Sequence, residues 1–335
     1  MSNTTEYGIK YIGKLEGHTK AVTSLACGKD EDGEIILISG SRDKSIIIWD
    51  LNLNVEEEQD KENVLAGRPR KSLLGHNHFV SSLALSSDCS KLVSGSWDKT
   101  ARLWDLNSYR CERLLSGHTK DILSVAFSHD ERMIFTGSMD NSLKYWNTMG
   151  QCKYTNNQFG GWVSSIININ KAKEGNMVAV GTWDSRVHIF NSDYENFAEI
   201  HDGNDYAVTS MSVDEYGDFL FVAYKNGKIQ VYNIKDSKSE EKYVLKQEIE
   251  TGVDINGILF ESKYLELFLI ATSKGLQIRK IKGDGPLFEY PVLEEGKKQS
   301  LNNACNCLIY EPNKEYLFAG FNDGTIRVFR FVPSN

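Results

Sequence analysis

Apolar and polar positions alternate over short stretches along nearly the whole chain. In "TARLWD" (100–105), Ala101 and Leu103 point one way, and Arg102 and Trp104 the other. "LKYW", "VHIF", "IQVY" and "IRVF" repeat the same rhythm, each closing on an aromatic residue. β-Branched and aromatic side chains suit a half-buried pleat, so these stretches predict strands. Asp-Lys, Asp-Asn, Asn-Gly or Asp-Gly pairs stand before them and predict hairpin turns. A further alternating strand precedes each hairpin, as in "VSSLALS" (80–86) and "ILSVAFS" (122–128).

This unit recurs. "SGSRDKSIIIWDL" (39–51), "SGSWDKTARLWDL" (94–106), "TGSMDNSLKYWNT" (136–148) and "VGTWDSRVHIFNS" (180–192) are clear copies. Weaker ones lie at 222–234, 270–281 and 318–331, making seven. The terminal aromatic slot holds Trp49, Trp104, Trp146, Phe190, Tyr232, Arg279 and Phe329, at gaps of 55, 42, 44, 42, 47 and 50 residues. A period of roughly 40–45 residues marked by Gly-His and Trp-Asp is the signature of WD repeats, each one four-stranded propeller blade. The chain therefore reads as all-β: a single seven-bladed β-propeller over residues 1–335. The last copy ends at its third strand, and "GIKYIGKL" (8–15) stands alone at the start. The N-terminal strand should close the ring as the outer strand of blade seven, covering two sheet edges.

The histidine upstream of each clear hairpin invites a catalytic or metal reading, but architecture accounts for it better. His18, His76 and His118 can each bridge the turn aspartate of their own blade (Asp43, Asp98, Asp140) and a strand hydroxyl. The same imidazole can then order the indole N–H of Trp49, Trp104 or Trp146, which would satisfy buried polar groups. The tetrad fades in blades four to six, and those blades are expected to be looser. Residues 52–71 break the period and read as an inserted loop between blades one and two. The loop is acidic over Glu56–Glu62 and basic at Arg68, Arg70 and Lys71.

Bulk composition adds little against this. The chain has 335 residues, a net charge of −8 and 40% apolar content, a soluble globular profile rather than that of a general polyanion binder. No apolar run suggests a membrane span, no leader is evident, and six cysteines without one suggest reduced thiols.

In blades one to three the residues resemble one particular group of propellers, the receptor for activated C kinase family. "SRDKSIIIWDL" (41–51), "GHNHFVSSLALSSD" (75–88), "GHTKDILSVAFSHDERMIFTGSMDNSLKYWNTMGQCKYT" (117–155) and "FAGFNDGTIRVF" (318–329) carry the likeness, which fades in blades four to six. The resemblance implies a non-enzymatic, cytoplasmic scaffold on the small (40S) ribosomal subunit. Its implied partners are 18S-type rRNA, ribosomal proteins, protein kinases such as protein kinase C, and translation and quality-control factors. No cofactor, metal or small-molecule substrate is implied. The family's Arg-Asp-Lys ribosome contact falls on Arg42-Asp43-Lys44, where arginine can fork onto a phosphate and lysine adds a point charge. Arg70 and Lys71 are expected to join that face, and Lys99 and Arg102 are further candidates. Trp162 matches a family aromatic at the ribosome face, with a core role as its alternative. Blade three carries Met139-Asp140-Asn141 and blade four Trp183-Asp184-Ser185, so two cations of the family pattern are missing.

Catalytic motifs are absent: there is no phosphate-binding glycine loop, no nucleophile elbow and no His-Glu-x-x-His. Cys305 and Cys307 form a Cys-x-Cys expected to face one side of a strand as buried thiols. His188 and His201 stand alone. The principal alternative function is a free Gβ-like signalling adaptor. Against it, only about seven residues precede the first strand, too few for the coiled-coil helix of that class.

Overall fold

In a computed structural model, the described residues are 7–53, 64–171, 175–191, 195–201, 203, 205–234, 243–261, 267–281, 285–291 and 303–333. They form 28 strands in seven four-stranded antiparallel sheets. Six sheets are simple meanders in chain order, as in blade one: Val22–Lys29, Ile35–Ser41, Ile46–Leu51 and Gly67–Leu73. First strands of successive blades touch one another in a closed circle, so each is the innermost strand around a common axis.

The seventh sheet is where the ring closes. Strand Tyr7–Leu15 pairs antiparallel with Ile326–Pro333 and supplies the outer strand of the last blade, as the unpaired first strand predicted. The apolar core is divided accordingly, with one buried cluster in each blade–blade interface. Leu15, Val22, Trp49, Phe318 and Val328 fill the joint between blades seven and one, and Ile38, Ile48, Leu83 and Trp104 the next. Each fully buried side chain of this size contributes about 1.5–3 kcal/mol over exposure.

The inserted segment is shorter than its sequence suggests. Residues 67–71 belong to the outer strand of blade one, because the blade needs a fourth strand. Pro69 is tolerated there because an outer strand has one unpaired side. Val64 and Ala66 bond to Lys14 of the N-terminal strand. The acidic part, Glu56–Glu62, lies outside the described residues.

Every innermost strand carries a β-bulge at its second residue, where the register with the next strand slips by one. The extra residue is Thr23, Ser81, Leu123, Ser164, Thr209, Asn256 or Asn306. Most of these side chains clamp the next blade. Thr23 donates to Val80 O, Ser81 to Ile122 O, Ser164 to Val208 O, Asn256 to Cys305 O and Asn306 to Val22 O. The bulge also corrects the expectation for the two cysteines. With Asn306 inserted between them, Cys305 packs between blades six and seven and Cys307 between seven and one.

In blades four to six other side chains stand where the tetrad would be, and each of these blades is a complete four-stranded sheet. Where Ser39, Ser94 and Thr136 stand in blades one to three, they carry Val180, Val222 and Ile270, all buried. Tyr232 donates to Gln230, which donates to Glu248, and Arg279 donates to the carbonyls of Glu250 and Thr251. In blade four, Phe159 packs edge-on against His188, whose pKa burial pushes down while Glu199 pulls it up.

Candidate nucleic-acid interface

The tight turns between second and third strands, and the loops entering each innermost strand, lie at one end of the propeller. They are tied blade by blade through one repeated bond: Arg42 N to Ala21 O, Trp97 N to Phe79 O, Met139 N to Asp121 O and Trp183 N to Trp162 O. The same bond runs from Lys225, Ser273 and Asn322 to Ala207, Asp254 and Ala304. The result is a rim of paired positions around the mouth of the axial channel.

The blade-one turn on this rim is rigid. His18 Nδ1 lies 2.8 Å from Asp43 Oδ2 and its Nε2 2.7 Å from Ser39 Oγ, while Trp49 Nε1 donates to Ser39 Oγ at 2.8 Å. One proton arrangement satisfies all four groups: indole N–H to hydroxyl, hydroxyl to Nε2, and Nδ1–H to carboxylate. Asp43 also accepts from the amides of Thr19 and Ser45 and the Ser45 hydroxyl. His76, Ser94, Trp104 and Asp98 repeat the arrangement, as do His118, Thr136, Trp146 and Asp140. Burial raises the pKa of each aspartate, but hydrogen bonds from its histidine and from Ser45, Thr100 or Ser142 outweigh it. All three carboxyls are held well below the usual range.

On this frame Arg42 and Lys44 are exposed and flank the locked Asp43. The Arg42 guanidinium lies 5.7 Å from the Phe79 ring centroid and makes no ion pair among the described residues. Lys44 and Lys99 sit at φ of 74° and 69°, the left-handed region in which blades five and seven place Gly227 and Gly324. A lysine there costs roughly 1–2 kcal/mol of backbone strain, so two cations are kept where glycine would be easier. Asn141 and Ser185 occupy the matching positions in blades three and four, with φ of 61° and 70°. The two missing cations are thus missing from this rim.

Other candidates are placed differently. Trp162 is on the rim, its ring 4.2 Å from that of Trp183, which is 46% exposed. Arg102 is folded back along the surface of blade two, 5.9 Å from the Trp104 ring and 3.8 Å from Cys111 Sγ. Arg70 and Lys71 do not join the Arg42 turn. Their strand pairs with the third strand beyond the turn, with Lys71 opposite Ile48 and Pro69 opposite Trp49. At about 3.3 Å per residue, that carries them well down the blade. There Arg70 faces Asp50 at 3.8 Å and Lys71 lies 5.7 Å from the Tyr109 ring. Phe79, Trp97 and Trp183 are rim residues that repeat counting alone passed over. Trp97 stacks on His78 at 5.8 Å and 11°. Aligning the residue before each turn aspartate (Arg42, Trp97, Met139, Trp183) would have found two of the three.

Among the described residues no cluster of histidine, cysteine or carboxylate side chains is arranged for a metal ion, and no helix is long and apolar enough to cross a membrane. Burial pushes the thiols of Cys27 and Cys307 up to about 12, and Cys305 also well above the ordinary value.

Residues 9–50, 67–105, 109–147 and 296–330 match the family described as "WD domain, G-beta repeat". Residues 169–256 match "Anaphase-promoting complex subunit 4 WD40 domain". The chain is 37% identical over 326 residues to "Small ribosomal subunit protein RACK1" of Caenorhabditis elegans, covering 96% of each. The chain belongs to the RACK1 family. It is 38% identical to the RACK1 protein of Schizosaccharomyces pombe, covering 94% of this chain and 96% of that one. It is 36% identical to "Cross-pathway control WD-repeat protein 2" of Flammulina velutipes, covering 96% and 97%. RACK1 relatives thus match the whole propeller, including blades four to six, where the tetrad is replaced.

Proposed function

We propose that this RACK1-family chain is a non-catalytic, cytoplasmic scaffold that docks on the small ribosomal subunit through the blade-one and blade-two turns. It holds protein kinases and translation factors on its remaining surfaces. Relatives aligned over nearly the full length carry the name of a small ribosomal subunit protein. The observation that carries the reading is the blade-one turn, where a buried tetrad fixes Asp43 and projects Arg42 and a strained Lys44 outward. A rigid fork plus a point charge suits the phosphates of folded RNA. Lys99 extends the patch to blade two, and Trp162 and Trp183 offer ring surface beyond it. Tethering acts through effective concentration and needs no chemistry of its own.

A free signalling adaptor is the second reading, favoured by Met139, Asn141 and Ser185, which stand on blades three and four where the family pattern has cations. Sucrose-gradient sedimentation separates the two. Wild type should travel with small subunits, and Arg42→Asp/Lys44→Glu should stay at the top. Wild type remaining at the top in low salt would leave the free adaptor as the account.

A further inference from the structure

In blade six the residues that replace the tetrad stand beside a cavity. Four residues before the inner strand, where blades one to three bury His18, His76 and His118, blade six has Thr251. Arg279 stands in the tryptophan slot and Ile270 in the hydroxyl slot. The cavity is half-open, about 270 Å³ in volume, and lined by Thr251, Lys274, Gln277, Arg279, Glu289 and Tyr290 among others. It is somewhat smaller than the roughly 300–1,000 Å³ usual for drug-sized ligands.

Its polar walls are incompletely used. Gln277 is 7% exposed, and its Oε1 has no hydrogen-bond partner, although its Nε2 donates to Glu289 Oε1 at 2.7 Å. The terminal nitrogens of Arg279 bind the carbonyls of Glu250 and Thr251, yet its buried Nε–H has no partner. Thr251 spends its hydroxyl proton on backbone carbonyls. Exposed Lys274 and Glu289 stand at the opening. A buried donor and a buried acceptor without partners are each destabilising, and here both belong to residues that line one cavity. The cavity wall therefore carries a cationic pair, Arg279 and Lys274, suited to an anion, and a pair that can accept hydrogen bonds, Gln277 and Glu289.

We propose that this cavity binds a small zwitterion of the free α-amino acid type. Its carboxylate faces Arg279 and Lys274, and its ammonium faces Gln277 and Glu289. The site is separate from the blade-one rim, so it stands or falls independently of ribosome docking.

The test is calorimetric titration of the full chain with each uncharged-side-chain amino acid, and with its N-acetyl and amide derivatives. At least one free amino acid should bind, and blocking either end should weaken it tenfold or more. Glu289→Gln, a change at an exposed residue, should weaken binding about tenfold. Gln277→Leu should do the same; it removes the unpaired carbonyl together with the bond to Glu289, and its thermal transition checks that it is folded. No heat from any amino acid at 10 mM, equal binding of the blocked forms, or full binding by both variants would each overturn the proposal and leave a cavity that holds only water.

Discussion

Replacing Ser94 by alanine removes one oxygen on which two buried groups depend. Trp104 Nε1 donates to it at 2.8 Å, and it lies 2.7 Å from His76 Nε2. Trp104 is 2% exposed and His76 6%, so no wall of bulk water replaces the lost partner. Each stranded group costs about 1–3 kcal/mol, giving about 2–4 kcal/mol for the pair with partial relaxation. Unfolding entropy near 2.1 cal/mol/K per residue converts this to a Tm loss of about 3–6 °C for a chain of 335 residues. The control is Ser94→Thr, which keeps the oxygen and copies Thr136, the residue that plays this part in blade three. Differential scanning calorimetry should place Ser94→Thr within about 1 °C of wild type, with Ser94→Ala clearly below. Equal Tm values for wild type and Ser94→Ala would refute the view that the tetrad hydroxyl is structurally required.

Other consequences can be measured on the same protein. Asp43, Asp98 and Asp140 have depressed folded pKa values, so their stabilisation is complete above the unfolded value near 3.9 and is lost as pH falls below it. The Tm gap between wild type and Asp98→Asn should accordingly be wide at pH 6 and narrow toward pH 3. Leu15→Ala, at a fully buried position in the closing joint, should cost about 2–5 kcal/mol in denaturant unfolding. Lys44→Gly relieves left-handed strain of about 1–2 kcal/mol against a glycine entropy cost of about 0.5–1, so it should raise stability by up to about 1 kcal/mol while reducing cosedimentation with small subunits. Lys99→Ala should lower the log–log salt slope of that association by about one unit.

The architecture was legible because each repeat carries its own period-two pattern and turn signal. Even the closing strand could be inferred from one unpaired stretch at each end. What escaped the reading depended on register. The bulge in every innermost strand adds a residue that alternation cannot reveal, and it sent Cys305 and Cys307 into different joints. Arg70 and Lys71 are close to Arg42 in the repeat count but several residues further along a strand that leaves the turn. Arg102 alternates outward like any polar strand residue, yet it lies against Trp104, because a long aliphatic stem covers a ring while its charged head stays half-exposed. The rim aromatics were hidden for a different reason: Trp97 and Trp183 coincide with the repeat's own signature, which masks any other use of the same residue.

The distribution of polar and apolar solutions around the ring also bears on where recognition resides. A tetrad ties the turn to the entering loop and to both central strands, so it fixes the direction of side chains leaving the turn. Val180, Val222 and Ile270 stabilise their blades by burial, which is non-directional and places no comparable constraint on the turn above. Rigid turns therefore sit under Arg42, Lys44, Trp97 and Lys99, where a fixed array of phosphates would demand fixed donors. Blade six instead has a cavity beside the residues that replace its tetrad, and its lining residues carry an unpaired donor and acceptor. If the tetrads served only stability, transplanting histidine, serine and tryptophan into blade five should strengthen the fold without consequence elsewhere. If they serve aim, disrupting the blade-one tetrad with Ser39→Ala should reduce ribosome cosedimentation more than Thr136→Ala does, at equal loss of Tm. Equal effects of the two on cosedimentation would remove the case for aim.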